Sequence, residues 1–127
     1  MSKFFCNVAI VDDDPLFAEF LRLELVSKVS AECQIDAYCE IDKFFDELKA
    51  KPNAYNLIVV DRFLGEYDSV SHQFPRSCRY DGYQGKIVLV SSCNLPNTND
   101  KATKDFNLIL KKGPNMNWQE VLDIAAV

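Results

Sequence analysis

Apolar positions along the chain gather into four short unbroken runs. They lie at Val8–Val11, within a first strand of about Cys6–Val11, and at Leu57–Val60, Ile87–Val90 and Leu108–Leu110. A strand covered on both faces has no need for polar alternation. Runs of this kind therefore predict a parallel sheet with helices on either side. A shorter stretch, Gln34–Tyr38, predicts a fifth strand. Between the runs the pattern turns helical. Asp14 is set to cap a helix that opens with Pro15, whose missing N–H costs nothing there. Leu16, Phe17, Phe20, Leu21 and Leu23 supply its apolar face, and Glu19, Arg22 and Glu24 its polar one. A second helix starts after an Asp42 cap, turns Phe44, Phe45 and Leu48 inward and is broken by Pro52-Asn53. The last helix spans about Trp118–Ala126, with Asn117 and Glu120 as a capping box.

Two stretches fit the alternation poorly. Val70–Tyr83 has room for a helix, but Pro75 and its polar, aromatic mixture predict a short or irregular one. Asn94–Asp105 has no apolar stripe, so the helix expected there is short, loose or absent. Gly82 and Gly85 mark the turn into the strand at Ile87.

Strand–helix alternation predicts an open, doubly wound α/β domain with a five-stranded parallel sheet. Ligands of such sheets bind beyond the carboxyl ends of the strands, where the strand order reverses. In the flavodoxin-like order 2-1-3-4-5, that point lies between the first and third strands. The first ends in Asp12-Asp13-Asp14 and the third in Asp61. Unpaired charge beside a core is expensive, so acids delivered there by two strands suggest one shared cluster. Oxygen-only clusters hold hard cations, of which Mg²⁺ is the usual one.

Composition narrows the picture. The 127 residues amount to about one domain, and 48% hydrophobic content argues against disorder. A net charge of −5 argues against nonspecific nucleic-acid binding, which rests on Lys and Arg neutralising phosphates. No run approaches the length of a membrane span, and the N-terminus lacks the apolar core of a signal peptide, so a cytoplasmic location is expected. The five cysteines (Cys6, Cys33, Cys39, Cys78 and Cys93) show no metal-ligand spacing and read as reduced core thiols. The one histidine, His72, reads as a loop or surface residue, and Asp68 as a loop hydrogen-bonding group.

With these motifs in order, residues 6–126 resemble the receiver domain of two-component response regulators. Asp12-Asp13 match the family's acidic pair. Asp61-Arg62-Phe63-Leu64-Gly65-Glu66-Tyr67-Asp68-Ser69 follows its acceptor motif, D-x-x-[M/L]-P-x-x-D-G, with glycine for proline and serine for the last glycine. Ser91 matches the hydroxyl residue ending the fourth strand, and Lys112 or Lys111 the lysine ending the fifth. The resemblance implies an Mg²⁺-dependent phosphoacceptor at Asp61, which catalyses its own phosphorylation and dephosphorylation without being a turnover enzyme. It implies metal ligation by Asp12, Asp13, Asp61 and the Phe63 backbone carbonyl, with Asp12 acting mostly through water. The lysine and Ser91 would meet the phosphoryl group. Phe63 and Cys93 would tune access of water to the acyl phosphate.

The implied partners are a histidine kinase or histidine phosphotransfer protein upstream, and a protein target or output domain downstream. A homodimer is possible, and the chain is either a stand-alone regulator or part of a larger one. The sequence also departs from the family. Where an inward-turning aromatic precedes the lysine, this chain has Ile109 or Leu108. The lysine is followed by Gly113-Pro114 rather than by proline directly. These departures motivate an alternative, a degenerate receiver that binds proteins without phosphorylation. A phosphatase similar to the haloacid dehalogenase family, with Asp12-x-Asp14 as its nucleophile motif, leaves Asp61 without a role and lacks the late acidic pair.

Overall fold

A computed structural model of the protein describes residues 6–92, 104–113 and 116–125. Its elements run β1 (Val8–Val11), α1 (Pro15–Val26), β2 (Ile35–Tyr38), α2 (Ile41–Ala50), β3 (Leu57–Asp61), β4 (Phe63–Leu64), β5 (Tyr67–Asp68), α3 (Phe74–Tyr80), β6 (Lys86–Ser91), β7 (Leu108–Lys111) and α4 (Trp118–Ala125). The main sheet has the order β2-β1-β3-β6-β7, with every neighbouring pair parallel. Without the small β4–β5 hairpin, this is the expected order 2-1-3-4-5.

Strand side chains alternate between faces, so each apolar run feeds two cores. Ala9, Val11, Ile58, Val60, Ile87 and Leu89 pack with Phe44 and Leu48 of α2 and with Phe74 and Cys78 of α3. Val8, Ile10, Leu57, Val59, Val88 and Val90 pack with Ala18, Leu21 and Leu25 of α1 and with Trp118, Val121 and Leu122 of α4. Helices thus cover both faces, and the charged ends of the central strands are the places where polar groups can gather.

Asp14 caps α1 as expected, its carboxylate accepting from the Leu16 and Phe17 N–H groups, with Pro15 in the first turn. The buried face of α1 is the expected one only in part: Leu21 is buried and Phe17 half-buried, but the face is rotated away from the other three apolar positions. Ala18, Leu21 and Leu25 face the sheet, whereas Leu16, Phe20 and Leu23 are 83%, 39% and 57% exposed. The helix carries two apolar stripes, and small Ala18 lets the 18/21/25 stripe approach β1 closely.

Helix α2 begins at Ile41, ahead of the Asp42 cap. Glu40 takes the cap position without a side-chain bond, and Asp42 lies inside the first turn, where a carboxylate meets the positive end of the helix dipole. Helix α3 is short, with Pro75 in its first turn and Gln73 before it at φ 54°. Asn117 Oδ1 accepts from the Glu120 N–H at 3.2 Å, which is the asparagine half of the capping box on α4.

Cys6 and Cys78 are buried thiols, Cys33 is half-buried and Cys39 is exposed, none in a disulfide. Cys39 therefore departs from the core reading; it follows edge strand β2 as the chain turns toward α2. Cys93, Pro114 and residues 94–103, with most of the expected loose helix, lie outside the described residues.

The candidate acidic site at the strand ends

Strands β1 and β3 are register partners, with Val11 opposite Val60, so the residues just beyond them are neighbours. Oxygens of Asp12, Asp13 and Asp61 come within 4.8 Å of one another. Asp12 and Asp61 are buried, while Asp13 opens to solvent. Local bonds fix the group. Asp12 Oδ1 accepts from the Asp14 N–H at 2.9 Å, so the turn into α1 orients the first acid. Asp13 Oδ2 accepts from the Gly65 N–H at 2.8 Å.

Lys112 closes the site from the end of β7. Its Nζ is 3.0 Å from Asp12 Oδ2 and 3.7 Å from Asp61 Oδ1. The Lys112 N–H donates to the Ser91 carbonyl at 2.8 Å, which carries the chain past β6 and toward the acids. Lys111, one residue earlier, is exposed and lies opposite Ser91 in the strand register. The geometry thus brings Lys112 to the carboxylates. Ser91 is fully buried at the end of β6, one residue beyond Val90, the register partner of Asp61.

The charges do not balance. Among the described residues three carboxylates face one ammonium, and the acids respond as crowded, dehydrated groups do. Burial raises the Asp61 carboxyl to about 6, and the neighbouring Asp12 charge adds to this while Lys112 opposes it. Burial also raises Asp12, against the stabilising Asp14 N–H and Lys112. Converging carboxylate oxygens with an excess of negative charge fit a hard divalent cation that takes few protein ligands, and Mg²⁺ is such an ion.

The segment after Asp61 forms the unforeseen hairpin. Phe63 pairs with Asp68 and Leu64 with Tyr67, and Gly65 turns between them at φ +65°. Ser69 ties the hairpin back, its hydroxyl donating to the Asp61 carbonyl at 3.3 Å and its N–H to the Arg62 carbonyl at 2.8 Å. Asp68 accepts from the Val70 N–H and the Ser71 hydroxyl, which matches its reading as a loop residue. It also faces Arg62, whose Nε lies 3.5 Å away but makes no hydrogen bond. Phe63 is 40% exposed beside the site, under the Arg62 guanidinium. His72 is exposed and stacked on Tyr67.

Solved structures with this arrangement of strands were found at low sequence identity. A CheY-like response regulator receiver domain from Methylobacillus flagellatus matches with a TM-score of 0.76 and 17% identity, covering 95% of this chain and 98% of that one. The response regulator TrrA from Thermotoga maritima, in complex with Mg²⁺ and BeF, matches with a TM-score of 0.72 and 18% identity over 97% and 95% of the two chains. The chain has the receiver fold. A Burkholderia pseudomallei response regulator with a phosphorylated aspartic acid, a calcium ion and citrate also matches, with a TM-score of 0.69 and 22% identity over 94% of this chain and 65% of that one. No protein-family profile and no curated protein sequence matches the chain.

Within this receiver fold, three contributions to the site were not read from sequence, although Gly65 and Ser69 stand in the acceptor motif as departures from it. The Gly65 N–H and the Ser69 hydroxyl act through a hairpin too short to show a periodicity. Phe17, read only as part of an apolar helix face, has its ring 4.0 Å from Lys112 Nζ. The signal for it was present, since an aromatic three residues after a strand-end cap necessarily lies near the strand ends.

Proposed function

We propose that this chain is a phosphoacceptor receiver of a two-component phosphorelay, phosphorylated on Asp61. The observation that carries the reading is the convergence of Asp12, Asp13 and Asp61 with Lys112 at the carboxyl ends of three parallel strands. Likeness to receiver folds supports it as background.

In the proposed reaction an Asp61 carboxylate oxygen attacks the phosphorus of a phosphohistidine on a kinase or phosphotransfer protein. The P–O bond forms as the P–N bond breaks, and the imidazole leaves with a proton from water. Asp12, Asp13, Asp61 and the Phe63 carbonyl would hold Mg²⁺, which when bound neutralises charge between nucleophile and phosphoryl group. Lys112 would exchange part of its contact with Asp61 for a phosphoryl oxygen, as a mobile point charge. The Ser91 hydroxyl would donate to another phosphoryl oxygen. Exposed Phe63 would limit the approach of water to the acyl phosphate. The output would be a changed affinity for a protein target or an output domain, in the cytoplasm.

The test is intact mass after incubation with acetyl phosphate. One phosphoryl adduct is expected with Mg²⁺, and none without Mg²⁺ or in Asp61→Ala. An adduct that persists in Asp61→Ala would overturn the proposal.

One observation favours a second reading, a binding module that needs no phosphoryl group. Ile109 sits half-buried against the core on β7, where the resemblance calls for an inward-turning aromatic. Mg²⁺ binding without an adduct, even from a histidine phosphodonor, would support that reading.

A further inference from the structure

The Lys112 ammonium is held on three sides. Two are the carboxylates of Asp12 and Asp61, at 3.0 and 3.7 Å. The third is the ring of Phe17, whose centroid lies 4.0 Å from Nζ. That ring is well fixed. Its residue is in the first turn of α1, and the Phe17 N–H donates to the Asp14 cap at 3.4 Å. Its side packs half-buried against the core under β1, and its ring lies 5.7 Å from that of Phe20. The Lys112 side chain is only 14% exposed, so the contact is largely shielded from water, where cation–π attraction is strongest.

We infer that Phe17 is a positioning residue for Lys112, its π face holding the ammonium over the acidic site while the carboxylates change partners. The inference rests on the phosphoacceptor reading of Asp61. Asp12 and Asp61, the anionic partners of Lys112 among the described residues, belong to the set that would take up Mg²⁺ and a phosphoryl group. When they do, their hold on the lysine weakens, and a long flexible side chain gains freedom to leave for solvent. The aromatic face carries no proton and binds no metal, so its attraction for the ammonium is the same before and after. It keeps the charge within reach of the phosphoryl oxygens without adding a competing anion. A leucine in its place would fill much of the volume but would offer no quadrupole, whereas tyrosine would keep the face.

The test compares wild type, Phe17→Leu and Phe17→Tyr, with Phe17→Met as a second apolar variant should the leucine protein fail to fold. Two readouts are used. The first is the rate of phosphoryl uptake from acetyl phosphate beside Mg²⁺ affinity by titration calorimetry. The expected result is uptake slowed about three- to thirtyfold in the apolar variant, restored in Phe17→Tyr, with Mg²⁺ affinity unchanged. The second is the NMR shift of the Lys112 side-chain methylenes without metal. Ring current should move them upfield in wild type and Phe17→Tyr and not in Phe17→Leu. Ordinary methylene shifts in wild type, full-rate uptake in Phe17→Leu, or equal loss in the leucine and tyrosine variants would overturn the inference. A wild type that shows the upfield shift but takes up no phosphate would keep the Phe17–Lys112 contact and remove the phosphoacceptor reading instead.

Discussion

Asp61 is held in a state that costs stability, because burial and the Asp12 charge raise its carboxyl to about 6 in the absence of metal. An unfolded aspartate titrates at about 3.9. Between these values the native protein binds more protons than the unfolded chain, so stability falls as pH rises from about 4 to about 6. The rise to about 6 bounds the loss at roughly 3 kcal/mol, and Asp12 adds to it in the same direction. Urea unfolding in chelator should therefore show wild type losing stability across that window while Asp61→Asn loses less, leaving the variant the more stable protein at neutral pH. Parallel pH profiles would contradict this. Lys112 gives the second prediction at this scale. Lys112→Ala should slow phosphoryl uptake by roughly a hundredfold or more, the scale for removing one preorganised charge contact. Lys111→Ala should leave the rate near wild type. The sequence left these two lysines open because both follow the same apolar run; the backbone bond from Lys112 to the Ser91 carbonyl sets which one reaches the acids.

Among the elements, the long apolar strands were legible because strands buried on both faces leave unbroken runs. Helix α1 was legible in position but only in part in facing, since Leu21 and Phe17 face the core as expected. Leu16, Phe20 and Leu23 make as good a stripe as Ala18, Leu21 and Leu25, and only packing against β1 decides between them. The β4–β5 hairpin was not legible, since two-residue strands have no period to read. Yet that hairpin reaches the site, through the Gly65 N–H on Asp13. Donors that orient a metal ligand are commonly worth about ten- to a hundredfold in affinity. Gly65→Pro removes the N–H and forbids φ +65°, so Mg²⁺ affinity should fall by about that factor. Gly65→Asn keeps the N–H in a residue that tolerates a left-handed backbone, and a Cβ there meets nothing within 4 Å, so its affinity should stay close to wild type. Calorimetric titration decides, and equal affinities in all three proteins would show that the bond is without consequence.

For the molecule as a whole, the three acids come from two strands about fifty residues apart in sequence, brought together by parallel pairing across the switch in strand order. A cation bound there ties β1 to β3 in the native state alone. Mg²⁺ should raise the melting temperature in proportion to the logarithm of its concentration above the dissociation constant, and Asp13→Ala should abolish the rise. The acidic cluster was legible from sequence for the same reason the fold was: charge is tolerated beside a core only where the strands end.

The most direct test of the central claim is to locate the phosphoryl group. After incubation with acetyl phosphate and Mg²⁺, borohydride reduction converts an aspartyl phosphate to homoserine, and peptide mass spectrometry finds its position. Homoserine at position 61, absent without Mg²⁺, is the predicted result. An intact Asp61 with homoserine at Asp12 or Asp13, or none anywhere after treatment with a histidine phosphodonor, would contradict it.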